Sequence, residues 1–474
     1  MAEFFQSIVK DGKMMMKVLK GYLLFLFIVP SFGYGQDYNL KELLEKAKTT
    51  YPVIRAKQFE VKSAREKVGS ARADYLPGFI LADQYTYSTS NNVEGAFFPN
   101  EGTAFAPSGG IRQENIYKGA FGSYTTAILD WKVVNFGKIS AGINAAKAEM
   151  SRAEWEYENE LFQHQVKVAD LYLLLLISQQ LTRVQEFNLQ RARDYMKTIN
   201  ARVAAGLKPG VDSALAHAEY TKAELLLLES QRNEQSYALR LRELSGGDLK
   251  DVFSVDTMNF FKELPGQAII DKENLPNAPS LRLYQSYRDL SKARSVSIKR
   301  SFYPSLSLVG TTWARGSGIS RKTGEYRTDF ASGVNYQVFN YLAGVALRWN
   351  LTSYFKIQRN YKSELFQYDK FQLLYDAQVL QQNRELKDAE MQFEMALKQA
   401  QVSPIQLEAA RAAFQQAQTR YSAGLTDLPT FTQSLVTLNR AEADNYIAYS
   451  NAWRALLMKA AAAGDLSVFL NQVK

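Results

Sequence analysis

The chain has 474 residues, 46% of them hydrophobic and 22% charged, a balance that excludes both a disordered chain and a bundle of membrane-spanning helices. The formal net charge is +9, of which Lys10, Lys13, Lys17 and Lys20 against Glu3 and Asp11 place two at the N-terminus. The remainder is spread without a dense basic run, which argues against nucleic acid as a partner. The absence of cysteine and the presence of only two histidines, His164 and His217, exclude disulfides, thiol nucleophiles, cysteine-ligated zinc and a lipid on an N-terminal cysteine.

Taken in chain order, Met14 to Lys20 form a basic flank, Gly21 to Pro30 an apolar core and Ser31 to Gly35 a small polar exit. That is the shape of a secretory signal peptide cleaved near Gly35, since a spanning anchor needs about 20 apolar residues. Met14, Met15 or Met16 would start a signal of ordinary shape, so residues 1–13 read as upstream extension. No later stretch reaches spanning length.

From residue 36 onward the chain repeats itself. Arg202 to Gly246 matches Arg420 to Gly464 at an offset of 218 residues, and Leu129-Asp-Trp131 falls on Leu347-Arg-Trp349 at the same offset. Pro52 and Pro77 fall on Pro279 and Pro304 at an offset of 227. The pattern predicts a first repeat over 36–247, an inter-repeat segment over 248–277 and a second repeat over 278–474. Each holds a helix, two extended segments, a long helix, a turn and a return helix. The long helices are predicted from about Lys138 to Val203 and from about Ile357 to Tyr421, rich in Ala, Leu, Glu, Gln, Lys and Arg. About 65 residues at 1.5 Å each give a rod of roughly 100 Å, which must pack beside other rods. Pro404 predicts a kink in the second rod only.

The extended segments alternate with period two. Phe339, Tyr341, Ala343, Val345, Leu347 and Trp349 alternate with small or polar residues, as do Phe121, Ala127, Leu129 and Trp131. Weaker strands are predicted over 79–90 and 305–316. Each is about as long as a tilted strand that crosses a bilayer. Alternation alone favours a soluble two-layer domain with one buried face; the export signal and the lack of a core partner reverse that preference. The outward faces are then Phe121, Ala127, Leu129 and Trp131 with Phe339, Tyr341, Val345, Leu347 and Trp349. Four strands cannot close a barrel and lipid forbids an open edge, whereas three copies supply twelve.

These features resemble the TolC-type outer-membrane efflux proteins over nearly the whole mature chain. The resemblance rests on Asn39-Leu-Lys-Glu-Leu-Leu, Tyr51-Pro, Tyr75-Leu-Pro77, Leu129-Asp-Trp131 with Phe136-Gly137-Lys138, and the turns at Arg202 to Leu207 and Arg420 to Leu425. It implies a mixed α and β membrane protein: a homotrimer with a 12-stranded outer-membrane barrel, four strands per chain, continued through the periplasm by a barrel of long coiled-coil helices. The segment over 248–277 would then be equatorial. The second copy departs from the family pattern, with Tyr354-Phe355-Lys356 where a phenylalanine-glycine pair is usual.

The resemblance further implies a channel docked to a periplasmic adaptor protein and an inner-membrane pump, exporting small molecules or ions. Adaptor contacts are expected at Arg202, Gly206, Leu207, Arg420, Gly424 and Leu425. The narrow gate is expected just past the turns, where acidic residues usually ring the pore. Asp212 is present in the first copy, but Thr430 and Gln433 stand at the acidic positions of the second, leaving Asp427 as a substitute. No catalytic, cofactor or metal residues are expected, since both histidines read as surface or packing residues. The alternative from another class is an exported helical coiled-coil structural protein, or the adaptor itself.

Overall fold

The computed structural model describes residues 39–89, 99–100, 104–105, 114–247, 260–267, 270, 272–320 and 322–473. The predicted signal peptide and start methionine therefore lie outside the described residues, as does half of the inter-repeat segment. Helix α1 (Leu40–Thr50) starts where the Asn39 side chain accepts from the Lys41 amide at 3.0 Å. Its Leu40, Leu43, Leu44 and Ala47, spaced to share one face, are all buried. Proline opens α2 (Pro52–Ala73), where its missing N–H costs nothing.

The strands β1 (Gly78–Ser88), a short ribbon of β2 (Pro99–Asn100) and β3 (Ala104–Phe105), and β4 (Ala120–Val134) come next. Then come the long α3 (Lys138–Ala204) and its return helix α4 (Gly210–Leu244). A 3-10 turn (Lys272–Asn277) leads into the same order again: α5 (Pro279–Arg300), β5 (Ser305–Ser317), the short α6 (Phe330–Val334), β6 (Val338–Arg348), α7 (Ser353–Ser422), α8 (Leu428–Ala463) and α9 (Ser467–Leu470). The long helices have 67 and 70 residues, so each is roughly 100 Å long. No described helix is long and apolar enough to cross a membrane.

The second long helix runs unbroken through Pro404. The proline cannot donate to Ala400 O, and the Ser403 hydroxyl lies 3.4 Å from that carbonyl and 3.0 Å from Asn445 Oδ1. The two long helices also begin differently. The first follows Gly137 at φ 81°, a conformation that glycine adopts without strain. At the equivalent position stands Phe355, and α7 instead begins upstream at Ser353, whose amide donates to Asn350 Oδ1 at 3.2 Å.

The four-stranded antiparallel sheet has the order β1-β4-β5-β6. The main core lies part-way along the helices, where α1 packs on α3 and its leucines share one cluster with Val168, Tyr172, Leu173, Leu175 and Leu176 of α3 and Trp453, Leu456 and Leu457 of α8. Burying each such leucine contributes about 1.5–3 kcal/mol. Towards the turns, α7 and α8 close on a seam of Ala396, Ala400, Ala448 and Ala452, small enough for the backbones to approach.

Candidate functional site

The strand register sorts the sheet into two faces. One carries Phe79, Leu81, Ala127, Leu129, Trp131, Leu308, Phe339, Tyr341, Val345 and Leu347, and Trp349 continues the alternation just past β6. It is open to the surroundings, with Tyr341 at 88% exposure. The other face carries Gln84, Thr126, Lys132, Ser307, Thr311 and Asn340, together with an ion pair between Arg348 and Asp130 at 3.0 Å. The second face is mixed, since Ile80, Ile128, Val309, Trp313 and Leu342 share it, so the contrast is between a mostly apolar face and one that also holds most of the sheet's charged side chains.

Phe121 belongs to the apolar face but is covered from within the chain. Helix α6 lies across the far end of the sheet, and its Phe330 ring meets Phe121 edge-on at 5.3 Å, with Tyr87 at 4.9 Å. The Ser123 hydroxyl donates to Val334 O at 3.1 Å, and the Tyr336 and Thr125 hydroxyls are hydrogen-bonded. A five-residue helix inside a loop gives no periodic signal, so this cover was illegible in the sequence. At the opposite end, Trp131 Nε1 donates to Tyr75 O at 3.0 Å and Trp349 Nε1 to Phe302 O at 3.1 Å. The two tryptophans thus tie each strand end to the helix end that precedes its partner strand.

At the other extreme of the helices are the two turns. Gly206 at φ 67° and Gly424 at φ 75° end α3 and α7. The Leu207 amide returns to Arg202 O at 2.9 Å and the Leu425 amide to Arg420 O at 2.8 Å, which is the Schellman closure that glycine permits. Leu207 and Leu425 stand 73% and 70% exposed. The arginines differ: Arg420 is exposed, whereas the Arg202 guanidinium lies over the Tyr421 ring, 5.9 Å from its centroid. Of the candidate gate residues, Asp427 caps α8 by accepting from the Thr430 amide at 3.1 Å. The Thr430 hydroxyl first, and its amide second, hold that carboxyl below its ordinary pKa. Thr430 and Gln433 are exposed on the first turns of α8, and Asp212 is half-buried at the start of α4.

The outer membrane efflux protein family model matches residues 43–247 and 272–457. The chain belongs to that family. Among solved structures, the fold is similar to the Campylobacter jejuni CmeC outer membrane channel, with TM-score 0.74, 16% identity, and 90% of this chain and 86% of that one covered. It is similar also to the outer-membrane channel OprN (TM-score 0.72, 17% identity, coverage 90% and 89%) and to the Neisseria gonorrhoeae MtrE outer membrane channel in its open state (TM-score 0.70, 14% identity, coverage 90% and 89%). No curated protein matches the chain in sequence. The protein is an outer-membrane efflux protein.

This efflux protein also holds a charged cluster that sequence reasoning missed. Arg152 and Tyr287 both donate to Glu156, Lys57 lies 3.5 Å from it, and Glu149 receives Arg152 at 2.8 Å and Arg294 at 2.6 Å. The cluster ties α2, α3 and α5 together, and Tyr287 stacks on Phe371 of α7 at 5.2 Å. Burial raises the Glu156 pKa, but the Tyr287 hydroxyl and the charges of Arg152 and Lys57 outweigh it and hold the carboxyl low. The spacing of Glu149, Arg152 and Glu156 signals a helical pair network; the partners from α2 and α5 carry no local signal. His164 is a packing residue, stacked on Tyr51 at 4.1 Å with its Nε2 2.9 Å from Leu244 O.

Proposed function

We propose that three copies of this chain join their sheets into one 12-stranded outer-membrane barrel, and that their helices continue it as a periplasmic conduit. The observation that carries this reading is the sheet's pair of open edges: β1 and β6 each pair on one side only, beside an apolar face that water would not favour. In lipid such edges must be paired, and neighbouring copies pair them in a closed ring. The lipid-facing band comprises Leu129, Trp131, Phe339, Tyr341, Val345, Leu347 and Trp349, with Phe121 under α6 at its outer border. The chain divides into two structural repeats, 36–247 and 278–474, with 248–277 an equatorial segment between them.

The turns form the periplasmic tip that meets an adaptor protein, which in turn serves an inner-membrane pump. Gly206, Leu207, Arg420, Gly424 and Leu425 make the contact, and Arg202 braces it from inside through Tyr421. Asp212, Thr430 and Gln433 line the narrowest passage; with threonine and glutamine at the acidic positions of the second copy, the ring keeps only the Asp212 carboxylate of each chain and has a weakened preference for cations. An exposed leucine gains nothing until a partner covers it, and covering one contributes about 1.5–3 kcal/mol. Six per trimer bind through avidity. Replacing Leu207 and Leu425 together by aspartate should abolish efflux while trimer assembly and membrane insertion persist. Efflux at the parental rate, or failure to assemble, would overturn the assignment of these turns.

A further inference from the structure

A cavity of about 320 Å³ opens near the tip between α3 of the first helical hairpin and α7 and α8 of the second. Its wall is aromatic: the Phe431 ring lies 4.4 Å from Tyr195, 5.4 Å from Tyr421 and 5.7 Å from Phe414. Tyr421 is only 4% exposed, and neither its hydroxyl nor that of Tyr195 meets a hydrogen-bond partner among the described residues. A buried hydroxyl without a partner is unfavourable, so two of them at one cavity favour a guest with a polar end. The charges on the lining select its sign. Arg191 is paired with Glu442 at 2.6 Å, and Asp194 keeps its charge while the neutral Gln190 amide donates to it at 2.8 Å; Lys208 Nζ lies 4.9 Å from the Tyr421 ring centroid beside Arg202, so two cations face that ring against one carboxylate. Arg202 makes no ion pair among the described residues and rests over the Tyr421 ring.

We propose that this cavity is a binding site for a small single-ring aromatic carboxylate. The ring packs against Phe431 and Tyr421, and the carboxylate accepts from the two phenol hydroxyls and from Arg202. The cavity is at the lower end of the size range of ligand pockets, about 300 to 1,000 Å³, which suits one ring and excludes large drugs. An occupant touches helices of both hairpins at once and so links them near the tip. The site stands whether or not the turns dock an adaptor, because it is built from side chains facing inward.

The test titrates sodium benzoate, with benzylamine as a probe of the same ring and opposite charge, against the full-length detergent-solubilised protein by calorimetry and saturation-transfer NMR. Benzoate should saturate one site per chain and benzylamine should bind about tenfold more weakly or less. Arg202→Gln should weaken benzoate by about tenfold. Ser422→Trp, a plug at the exposed mouth, should abolish binding without disturbing the ring cluster. Equal binding of the two probes, benzoate binding unchanged in both variants, or no saturable binding, which would leave water alone on the two hydroxyls, would each overturn the proposal.

Discussion

Val345 and Ala346 are neighbours in β6 that face opposite ways, Val345 opposite Leu308 on the apolar face and Ala346 opposite Ser307 on the mixed one. Arginine at Val345 should cost about 2–4 kcal/mol if that position sits near the bilayer midplane, and much less at Ala346. Refolding the two variants into lipid vesicles compares them directly; equal tolerance would place the membrane on the wrong face. Glu156 makes a different prediction. Its pKa is held below the ordinary value of 4.5, so its contribution is complete above that pH and is lost as the pH falls through the depressed folded value. Glu156→Gln leaves Arg152 and Lys57 short of an acceptor and should cost about 1–3 kcal/mol at neutral pH. Melting curves should show the parent losing stability below about pH 4.5 and the variant losing less.

At the scale of the element, the starts and stops of helices carry much of the design. Asp427 caps α8 through the Thr430 amide and so has a local structural task besides any electrostatic one. Asp427→Asn keeps an acceptor and Asp427→Ala does not. Hydrogen exchange at the first turn of α8 should therefore stay slow in the asparagine variant and speed up in the alanine variant; equal rates would mean that the cap is idle. The different starts of α3 and α7 follow the same logic. Where Gly137 takes a left-handed turn at φ 81°, the second copy begins its helix earlier and absorbs Phe355; the first copy's turn also holds Phe136 at φ 47°, a strained conformation for a phenylalanine that the second copy avoids.

At the scale of the molecule, α3 is held to α8 by ion pairs, Arg191 to Glu442 and Asp170 to Arg454 at 2.8 Å, which join the two helical hairpins within one chain. Among the described residues the outer strands β1 and β6 each pair on one side only, and the proposed barrel would close those edges with other copies. A sedimentation or native mass measurement in mild detergent should return three chains per particle, and a monomer would defeat the barrel reading. The exposed apolar residues of α7, including Phe366, Leu373 and Leu380 at intervals of seven, are spaced as a seam for a neighbouring helix.

What the sequence determined by itself was whatever is periodic. Alternation in 339–349 placed β6 and its apolar side, the proline-free run after Lys138 placed α3, and the two Ala-Gly-Leu turns placed the helix ends, since period, propensity and a glycine stop are local properties of the chain. Tertiary structure alone decided that Arg202 turns inward to Tyr421 while Arg420 stays exposed, that α6 covers Phe121, and that Tyr195, Phe414, Tyr421 and Phe431 meet around a cavity. Those arrangements join side chains up to hundreds of residues apart, and which of them touch is settled by how rods and sheet pack against one another, a competition that no short stretch of sequence contains.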